Sequence, residues 1–235
     1  MKVVLDRLHA GYGQPLLQDI SLSVGPGECI LLCGANGSGK STLMKTLAGV
    51  LPPLSGTVKT DPDTGVRMLP ARIPRVRGFS LREFVQASCY DDLTAAGTAS
   101  KQLRHNIEIA INRMGLQERA DRDITALSDG EFQKACIATA LARQARLLLL
   151  DEPTAFLDVD NRAMVLEALA RVCRETGLAI LFSSHDIIES ARTCTRVFGL
   201  PGDGTLRDSG PDAPQGKKQD LIRACFRNQD LFFPV

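Results

Sequence analysis

A glycine-rich stretch near the start of the chain has the composition of a phosphate-binding loop. The stretch GANGSGKST, residues 34–42, fits the pattern G-x-x-x-x-G-K-[ST] and directly follows the apolar run ECILLC, residues 28–33. Glycines allow successive backbone N–H groups to curl around a phosphate chain. Lys40 can then reach the β- and γ-phosphates, and the Ser41 hydroxyl is placed for Mg²⁺, although a glycine turn without a ligand is the alternative. The phosphate-binding candidates are Gly34, Asn36, Gly37, Ser38, Gly39, Lys40, Ser41 and Thr42.

Two adjacent carboxylates follow a second apolar run. In LLLLDE, residues 147–152, Asp151 lies where a buried strand should end, and it can hold the hydration shell of Mg²⁺. Glu152, one residue later, can orient or deprotonate an attacking water. Acidic residues that only cap a strand end are the alternative. The phosphate-loop pattern upstream favours the catalytic interpretation.

A histidine follows a third apolar run. His185 comes directly after LAILFSS, residues 178–184. Ligands bind at the carboxyl ends of the strands in open α/β sheets, so we expect His185 to act near the γ-phosphate. The candidate catalytic residues are therefore Glu152, His185 and Lys40, and the candidate metal ligands are Ser41 and Asp151.

The stretch ALSDGEFQKACIATALA, residues 126–142, begins like a capped helix. In S-x-x-E, the Ser128 hydroxyl and the Glu131 carboxylate can satisfy each other's free backbone N–H groups. A helix N-terminus also presents unpaired N–H groups and partial positive charge, so the same segment could bind an anion. The stretch alone does not decide between the two, and they need not exclude each other.

The rest of the sequence predicts the strands and helices around these residues. The apolar runs before the phosphate loop, Asp151 and His185 predict strands buried on both faces of a parallel sheet. Partial alternation predicts two N-terminal β-strands, KVVLDRL and LQDISLSV, with a turn at AGYGQPL, residues 10–16. Helical patterns dominate from about residue 72 to residue 144. We therefore predict an α/β protein with a helical insertion.

Bulk composition excludes several classes of protein. The chain has 235 residues, 44% of them hydrophobic, which suits one large domain, and the net charge of +1 argues against a nucleic-acid partner. The first residues lack the apolar core of a secretory signal. The seven cysteines are never spaced C-x-x-C, which favours free thiols in a reducing compartment.

Taken in order, four motifs resemble the ATPase subunit of the ABC transporter superfamily. They are the phosphate loop, LSDGE at residues 127–131, LLLLDEPTAFLD at residues 147–158 and SSHD at residues 183–186, and the resemblance extends to about residue 200. It implies a P-loop NTPase of ABC type, with a mainly parallel sheet core, an N-terminal antiparallel β part and an inserted helical subdomain. The implied division of the single domain, residues 1–235, is a RecA-like core with its β subdomain at 1–71 and 145–235, and a helical subdomain at 72–144.

The resemblance assigns further residues to an ATP site. LSDGE, here called the signature segment, is similar to the family motif LSGGQ, with Asp129 and Glu131 as departures. In the family two subunits pack head to tail, and the signature segment of one faces the γ-phosphate held by the other. The resemblance therefore implies a homodimer that holds ATP and Mg²⁺ at its interface. The nucleotide-binding candidates it adds are Tyr12, which would stack on adenine, Ser128, Gly130 and Glu131 of the signature segment, and Asp158, in a segment similar to the family's D-loop.

One position departs from the family pattern in a way that bears on coupling. The family normally has a glutamine where the core meets the helical insertion, and this chain reads VRMLPARIP, with Ala71 at that place and Arg72 beside it. Alanine can neither touch Mg²⁺ nor position a water. We expect near-ordinary hydrolysis with weaker communication to the helical region.

The segment SLREFVQASCYDD, residues 80–92, is similar to the corresponding segment of ATPases that serve importers of iron–siderophore, haem and vitamin B12. This likeness predicts an ATPase subunit that is cytoplasmic and peripheral on the inner face of the membrane. Its partners would be integral membrane permease subunits and, through them, a substrate-binding protein. The alternatives are a soluble non-transport ABC ATPase, of the iron–sulfur assembly or translation type, and an ATP-dependent clamp with weak hydrolysis.

Overall fold

The structure is a computed structural model that describes residues 3–61, 65–70, 73–90 and 99–226. Ala71 and Arg72, the predicted departure from the family, lie outside the described residues. Residue contacts divide the chain into two compact units. The first comprises Met1–Ala71, Arg146–Ala155 and Leu169–Val235, and the second comprises Arg72–Ala145 and Phe156–Ala168. The sequence-based division placed residues 145 and 156–168 in the core, whereas the contacts group them with the helical residues.

The helices and strands follow the predicted order. The N-terminal part contains β1 (Val3–Tyr12), β2 (Gln14–Val24), β3 (Cys29–Gly34), α1 (Lys40–Leu47), β4 (Ser55–Thr60) and β5 (Val66–Leu69). The helical insertion contains α2 (Leu81–Ala87), α3 (Lys101–Arg113) and α4 (Asp129–Ala142). The C-terminal part contains β6 (Leu147–Leu150), α5 (Val159–Thr176), β7 (Ala179–Ser183), α6 (Ile187–Thr193), β8 (Arg196–Leu200), β9 (Arg207–Asp208) and α7 (Gln215–Arg223).

The N-terminal strands form an antiparallel sheet in the order β2-β1-β4. The predicted turn at residues 10–16 is wrong in extent, because β1 continues to Tyr12, β2 begins at Gln14, and only Gly13 reverses the chain. Gly13 has a φ of 77°, in the left-handed region that a two-strand reversal needs and that glycine adopts without strain. Glycine and proline in AGYGQPL suggested a longer turn, but Gly11 and Pro15 pair directly in the ladder.

The second sheet has six strands in the order β5-β6-β7-β3-β8-β9. The first five are mutually parallel, and only β9 runs antiparallel to β8. Every residue of β3, β6 and β7 is buried, which explains why these strands read as continuous apolar runs rather than alternating ones. Because they are parallel neighbours, the residues that follow β3, β6 and β7 emerge at one edge of the sheet.

The second unit is helical. Helices α3 and α4 pack together through the buried faces of both, and α2 packs against α4. Serines begin all three helices, and Ser80 and Ser128 each form a complete capping box with a glutamate three residues later. Within the described ranges, no helix combines the length and apolar character needed to cross a membrane.

Candidate nucleotide site

The phosphate loop connects the buried strand β3 to helix α1, as predicted. Two of its glycines are required by close packing. A Cβ at Gly34 would lie 2.6 Å from Ser38 Oγ, and one at Gly39 would lie 2.9 Å from Leu17 Cδ2. Gly34, Gly37 and Gly39 all have positive φ angles, so the chain curls here in a conformation that other residues adopt only with strain. The loop thus has the backbone shape of an anion-binding concavity at the start of a helix.

Lys40 supplies the cation of this loop. Its Nζ donates to the carbonyl oxygens of Gly34 at 2.8 Å and Ala35 at 3.1 Å, so the ammonium lies over the loop rather than in solvent. Burial lowers the pKa of Lys40, while the nearby carboxylates of Glu152 and Asp151 act in the opposite direction. A partly desolvated ammonium next to a helix N-terminus is a strong site for phosphate oxygens.

Hydroxyl and carboxylate oxygens meet where β3, β6 and β7 end. Ser41 Oγ donates to Asp151 Oδ2 at 3.1 Å, and Ser183 Oγ donates to Asp151 Oδ1 at 2.8 Å. Two hydroxyls on one carboxylate form a set of hard oxygen ligands, which is the kind that Mg²⁺ prefers. The residues present therefore fit a magnesium ion that is held through Ser41 and Asp151.

Glu152 and His185 form a second pair at the same edge. His185 Nε2 lies 2.8 Å from Glu152 Oε1, and the Glu152 backbone N–H donates to Ser183 Oγ at 2.9 Å. Glu152 has a φ of 52°, which is uncommon for a residue with a side chain and is typical of functional positions held by their surroundings. The structure thus brings together all three predicted catalytic residues and both predicted metal ligands in the first unit.

The signature segment lies at the start of α4 in the second unit. Ser128 Oγ accepts from the Glu131 N–H at 3.1 Å, and Glu131 Oε2 accepts from the Ser128 N–H at 2.9 Å. The hydrogen bond from the Ser128 backbone lowers the pKa of Glu131, and Arg119, whose Nε lies 3.0 Å from Glu131 Oε1, lowers it further. The capping box is therefore formed, and the predicted anion site at the same helix start stays a prediction.

Gly130 and Asp158 are linked through one side chain. Asp158 accepts from the Asn161 backbone N–H at 2.8 Å and from Asn161 Nδ2 at 2.9 Å, and so caps the start of α5. The Asn161 amide lies so close to Gly130 that a Cβ there would overlap its Oδ1 and lie 2.9 Å from its Cγ. The starts of α4 and α5 can approach each other because residue 130 is a glycine.

Comparison with known proteins agrees with this geometry. The family model described as ABC transporter matches residues 17–155. The chain is 38% identical over 188 residues to the zinc import ATP-binding protein ZnuC of Cereibacter sphaeroides, covering 79% of this chain and 72% of the relative. The chain belongs to the ABC transporter ATPase family.

Two further comparisons extend this assignment. The chain is 33% identical over 234 residues to the iron(3+)-hydroxamate import ATP-binding protein FhuC of Bacillus subtilis, covering 94% of this chain and 86% of the relative. A dimeric bacterial ABC transporter cassette of known structure shares the fold, with a TM-score of 0.70 at 21% identity, covering 90% of this chain and 99% of that one. The predicted family, the ABC-type P-loop NTPase fold and the ATPase class are thereby confirmed.

Tyr12, the predicted adenine contact of this ABC ATPase, lies at the end of β1 and is 63% exposed. Its hydroxyl accepts from Lys45 Nζ at 3.4 Å. An exposed ring next to a lysine of α1 is available for stacking, and the role stays a prediction.

Three residues that contact the candidate site residues within their own units were not identified from the sequence. Ser183 contacts both Asp151 and the Glu152 backbone, and in the sequence it was only the first of the two serines before His185 in FSSH. Arg75 and Arg119 contact the two acidic residues of the signature segment. No local spacing identifies these arginines, because they lie 54 and 12 residues from their partners.

Proposed function

We propose that this chain is the ATP-hydrolysing subunit of an importer, with a metal chelate of the iron–siderophore, haem or cobalamin type as cargo. One observation supports the ATPase site: Lys40, the Ser41–Asp151 pair and the Glu152–His185 pair lie together at one edge of the sheet. The importer class rests on relatives that are import proteins, and their cargoes differ between zinc and iron hydroxamate. The chelate class rests on the segment at residues 80–92.

Each of these site residues has a distinct role in this proposal. The loop N–H groups and Lys40 hold the β- and γ-phosphates, and Ser41 and Asp151 hold Mg²⁺, which when bound neutralises charge on the phosphate oxygens. The Glu152 carboxylate orients the attacking water and accepts its proton, while the water oxygen bonds to the γ-phosphorus and the bond to the leaving ADP oxygen breaks. His185, whose Nε2 lies 2.8 Å from Glu152 Oε1, keeps Glu152 in place on the γ-phosphate side of the site. Phosphoryl transfer needs mainly positioning and charge stabilisation, and these groups supply both.

The proposed assembly is a head-to-tail homodimer docked on integral membrane permease subunits at the cytoplasmic face of the membrane, and through them served by a substrate-binding protein. Ser128 and the Gly130 backbone of one subunit complete the site of the other, with Tyr12 stacking on adenine. ATP then joins the subunits, and hydrolysis releases them. The dimeric cassette with the same fold supports this arrangement. A clamp with weak hydrolysis is the second candidate, because Ala71 replaces the usual glutamine.

Substitution of Glu152 tests the proposed chemistry. Glu152→Gln keeps the shape and removes the base, so we expect ATP binding without turnover and an ATP-bound dimer on size-exclusion chromatography. Lys40→Ala should instead abolish tight ATP binding in calorimetry. Glu175→Gln, an exposed carboxylate on α5, is the matched control and should behave as wild type. Ordinary turnover in Glu152→Gln would show that Glu152 is not the base.

Cargo is tested with the complete transporter. The chain is reconstituted with its permease in vesicles, and ATPase stimulation is measured with ferric hydroxamate, haem, cobalamin and Zn²⁺ together with the binding protein. Stimulation by a chelate alone supports the proposal. Stimulation by Zn²⁺ alone would replace the cargo class and leave the ATPase assignment intact.

A further inference from the structure

The signature segment of this chain carries two carboxylates, and each faces an arginine. Asp129 pairs with Arg75, and Glu131 pairs with Arg119 at 3.0 Å. Glu131 also closes the capping box with Ser128, so its position is explained by the helix start. Asp129 makes no such contact within the described part of the chain and remains 68% exposed. The side chain that pairs with the Asp129 carboxylate is therefore Arg75.

Arg75 contacts the residues on both sides of Ser128, Leu127 through its backbone carbonyl and Asp129 through its side chain. Its Nη1 donates to the carbonyl oxygen of Leu127 at 2.7 Å, and its Nη2 donates to Asp129 Oδ1. The two acceptors belong to the residues immediately before and after the serine. A planar guanidinium that spans two acceptors in this way fixes their separation, which a lysine could not do.

The guanidinium is itself held in place by aromatic packing. It lies 4.6 Å from the centroid of the Phe132 ring, one helical turn after Ser128. Phe132 packs against Phe84 of α2, with ring centroids 5.6 Å apart. Stacking leaves the edge of the guanidinium free to donate, so the orientation of Arg75 is determined before any ligand arrives.

The negative charge of Asp129 affects both the stability of α4 and the binding of an anion at the start of that helix. A carboxylate in the first turn stabilises a helix, because it faces the positive end of the dipole. The same carboxylate opposes an anion at that helix start, since like charges a few ångströms apart repel even near a surface. The guanidinium of Arg75, paired with Asp129, offsets this negative charge and so reduces the repulsion.

We propose that Arg75 is a positioning residue for the ATP site in trans: it fixes the Leu127 carbonyl directly before Ser128 and offsets the charge of Asp129, so that the signature segment can face the partner's triphosphate. The proposal rests on the head-to-tail dimer of the proposed function. It assigns a role to the segment just after Ala71, because Arg75 lies four residues beyond that position. Nucleotide-dependent movement of this segment would reach Ser128 through Arg75.

The test measures ATP-driven dimerisation in a Glu152→Gln background, so that hydrolysis does not consume the nucleotide. Arg75→Gln should raise the ATP concentration for half-maximal dimerisation about tenfold, because a surface ion pair has a modest effect and the dimer contains two of them. The effect should shrink at high salt, since exposed charges are screened. Adding Asp129→Asn to Arg75→Gln should restore the midpoint to within about threefold.

The control is Arg82→Gln on the same unit. Arg82 pairs with Glu108 at 2.6 Å and with Asp121, and it contacts none of the signature residues. We expect no change in its dimerisation midpoint. ATP affinity of the monomer, measured by calorimetry, should be equal in all variants.

The outcomes separate the two proposals. If the Glu152→Gln chain with an intact Arg75 fails to dimerise with ATP, the head-to-tail site is wrong and the role of Arg75 falls with it. If that chain dimerises and Arg75→Gln dimerises equally well, only the role of Arg75 is overturned. If Arg75→Gln is defective but Asp129→Asn does not rescue it, Arg75 is structural and the charge argument is wrong.

Discussion

Gly130→Ala is the substitution whose effect the structure defines best. An alanine Cβ would overlap Asn161 Oδ1, and the obstacle cannot move freely because Asn161 Nδ2 is bound to Asp158 at 2.9 Å. Rotation of the amide would relieve the overlap and break that hydrogen bond. Crowding would persist, since the same Cβ would lie 3.2 Å from Asn161 Cβ, which only backbone movement can shift.

The magnitude follows from three contributions. Loss of a hydrogen bond to a charged group costs about 1.5–3 kcal/mol. Residual crowding adds a fraction of the roughly 1–3 kcal/mol typical of overpacking. Alanine is favoured over glycine in a helix by about 1 kcal/mol, which offsets part of the loss. We expect net destabilisation of about 1–3 kcal/mol and a fall in Tm of about 2–12 °C for a chain of this size.

Thermal unfolding of a four-variant cycle checks this explanation. In an Asn161→Ala background the obstacle is gone, so Gly130→Ala should become neutral or stabilising, by up to about 1 kcal/mol. Gly216→Ala is the matched control, because Gly216 lies in α7 with open space around its Cβ position, and it should raise Tm slightly. If Gly130→Ala lowers Tm equally with and without Asn161, the amide is not the obstacle and the explanation is wrong.

Two further predictions concern the proposed site in trans and the departure at residue 71. Ser128→Arg should leave ATP binding by the monomer intact and abolish the ATP-bound dimer on size-exclusion chromatography, and partial ATPase activity after mixing with Lys40→Ala would show that one intact composite site suffices. Ala71→Gln should increase the ATP-dependent hydrogen-exchange protection of residues 72–144 while changing turnover by less than about tenfold. Unchanged protection would mean that coupling uses another contact.

The site residues of the first unit were predictable from sequence because each follows a buried strand. Continuous apolar runs identify such strands without any knowledge of the fold, and parallel strands bring their carboxyl ends to one edge. The structure accordingly brings Lys40, Asp151 and His185 to one edge of the sheet, and their roles stay predictions. The pairing of Glu152 with His185 was not predicted, since the two residues lie far apart in the sequence and neither spacing nor periodicity indicates the contact.

The contacts of the second unit were less predictable, because some are local in sequence and others join distant residues. The capping box of Ser128 and Glu131 is local, and it was recognised from spacing alone. The contacts of Arg75 join residues 52 and 54 positions apart and depend on how its loop packs over Phe132. Long-range pairs of this kind have no periodic signal. The extent of the β1–β2 turn was wrong because glycine and proline are turn residues by preference, and ladder pairing overrode that preference.

The internal contacts of the first unit suggest how the site would discriminate among ligands. Lys40 Nζ, Ser41 Oγ and Glu152 Oε1 each already have a protein partner. Binding therefore exchanges hydrogen bonds instead of creating them, and the net gain from any one exchange is modest. A ligand that replaces only one partner, such as a single phosphate, gains little. A magnesium-bound triphosphate can replace several partners at once, so we expect the site to prefer it to a single phosphate because of the number of simultaneous exchanges and not because of any single contact.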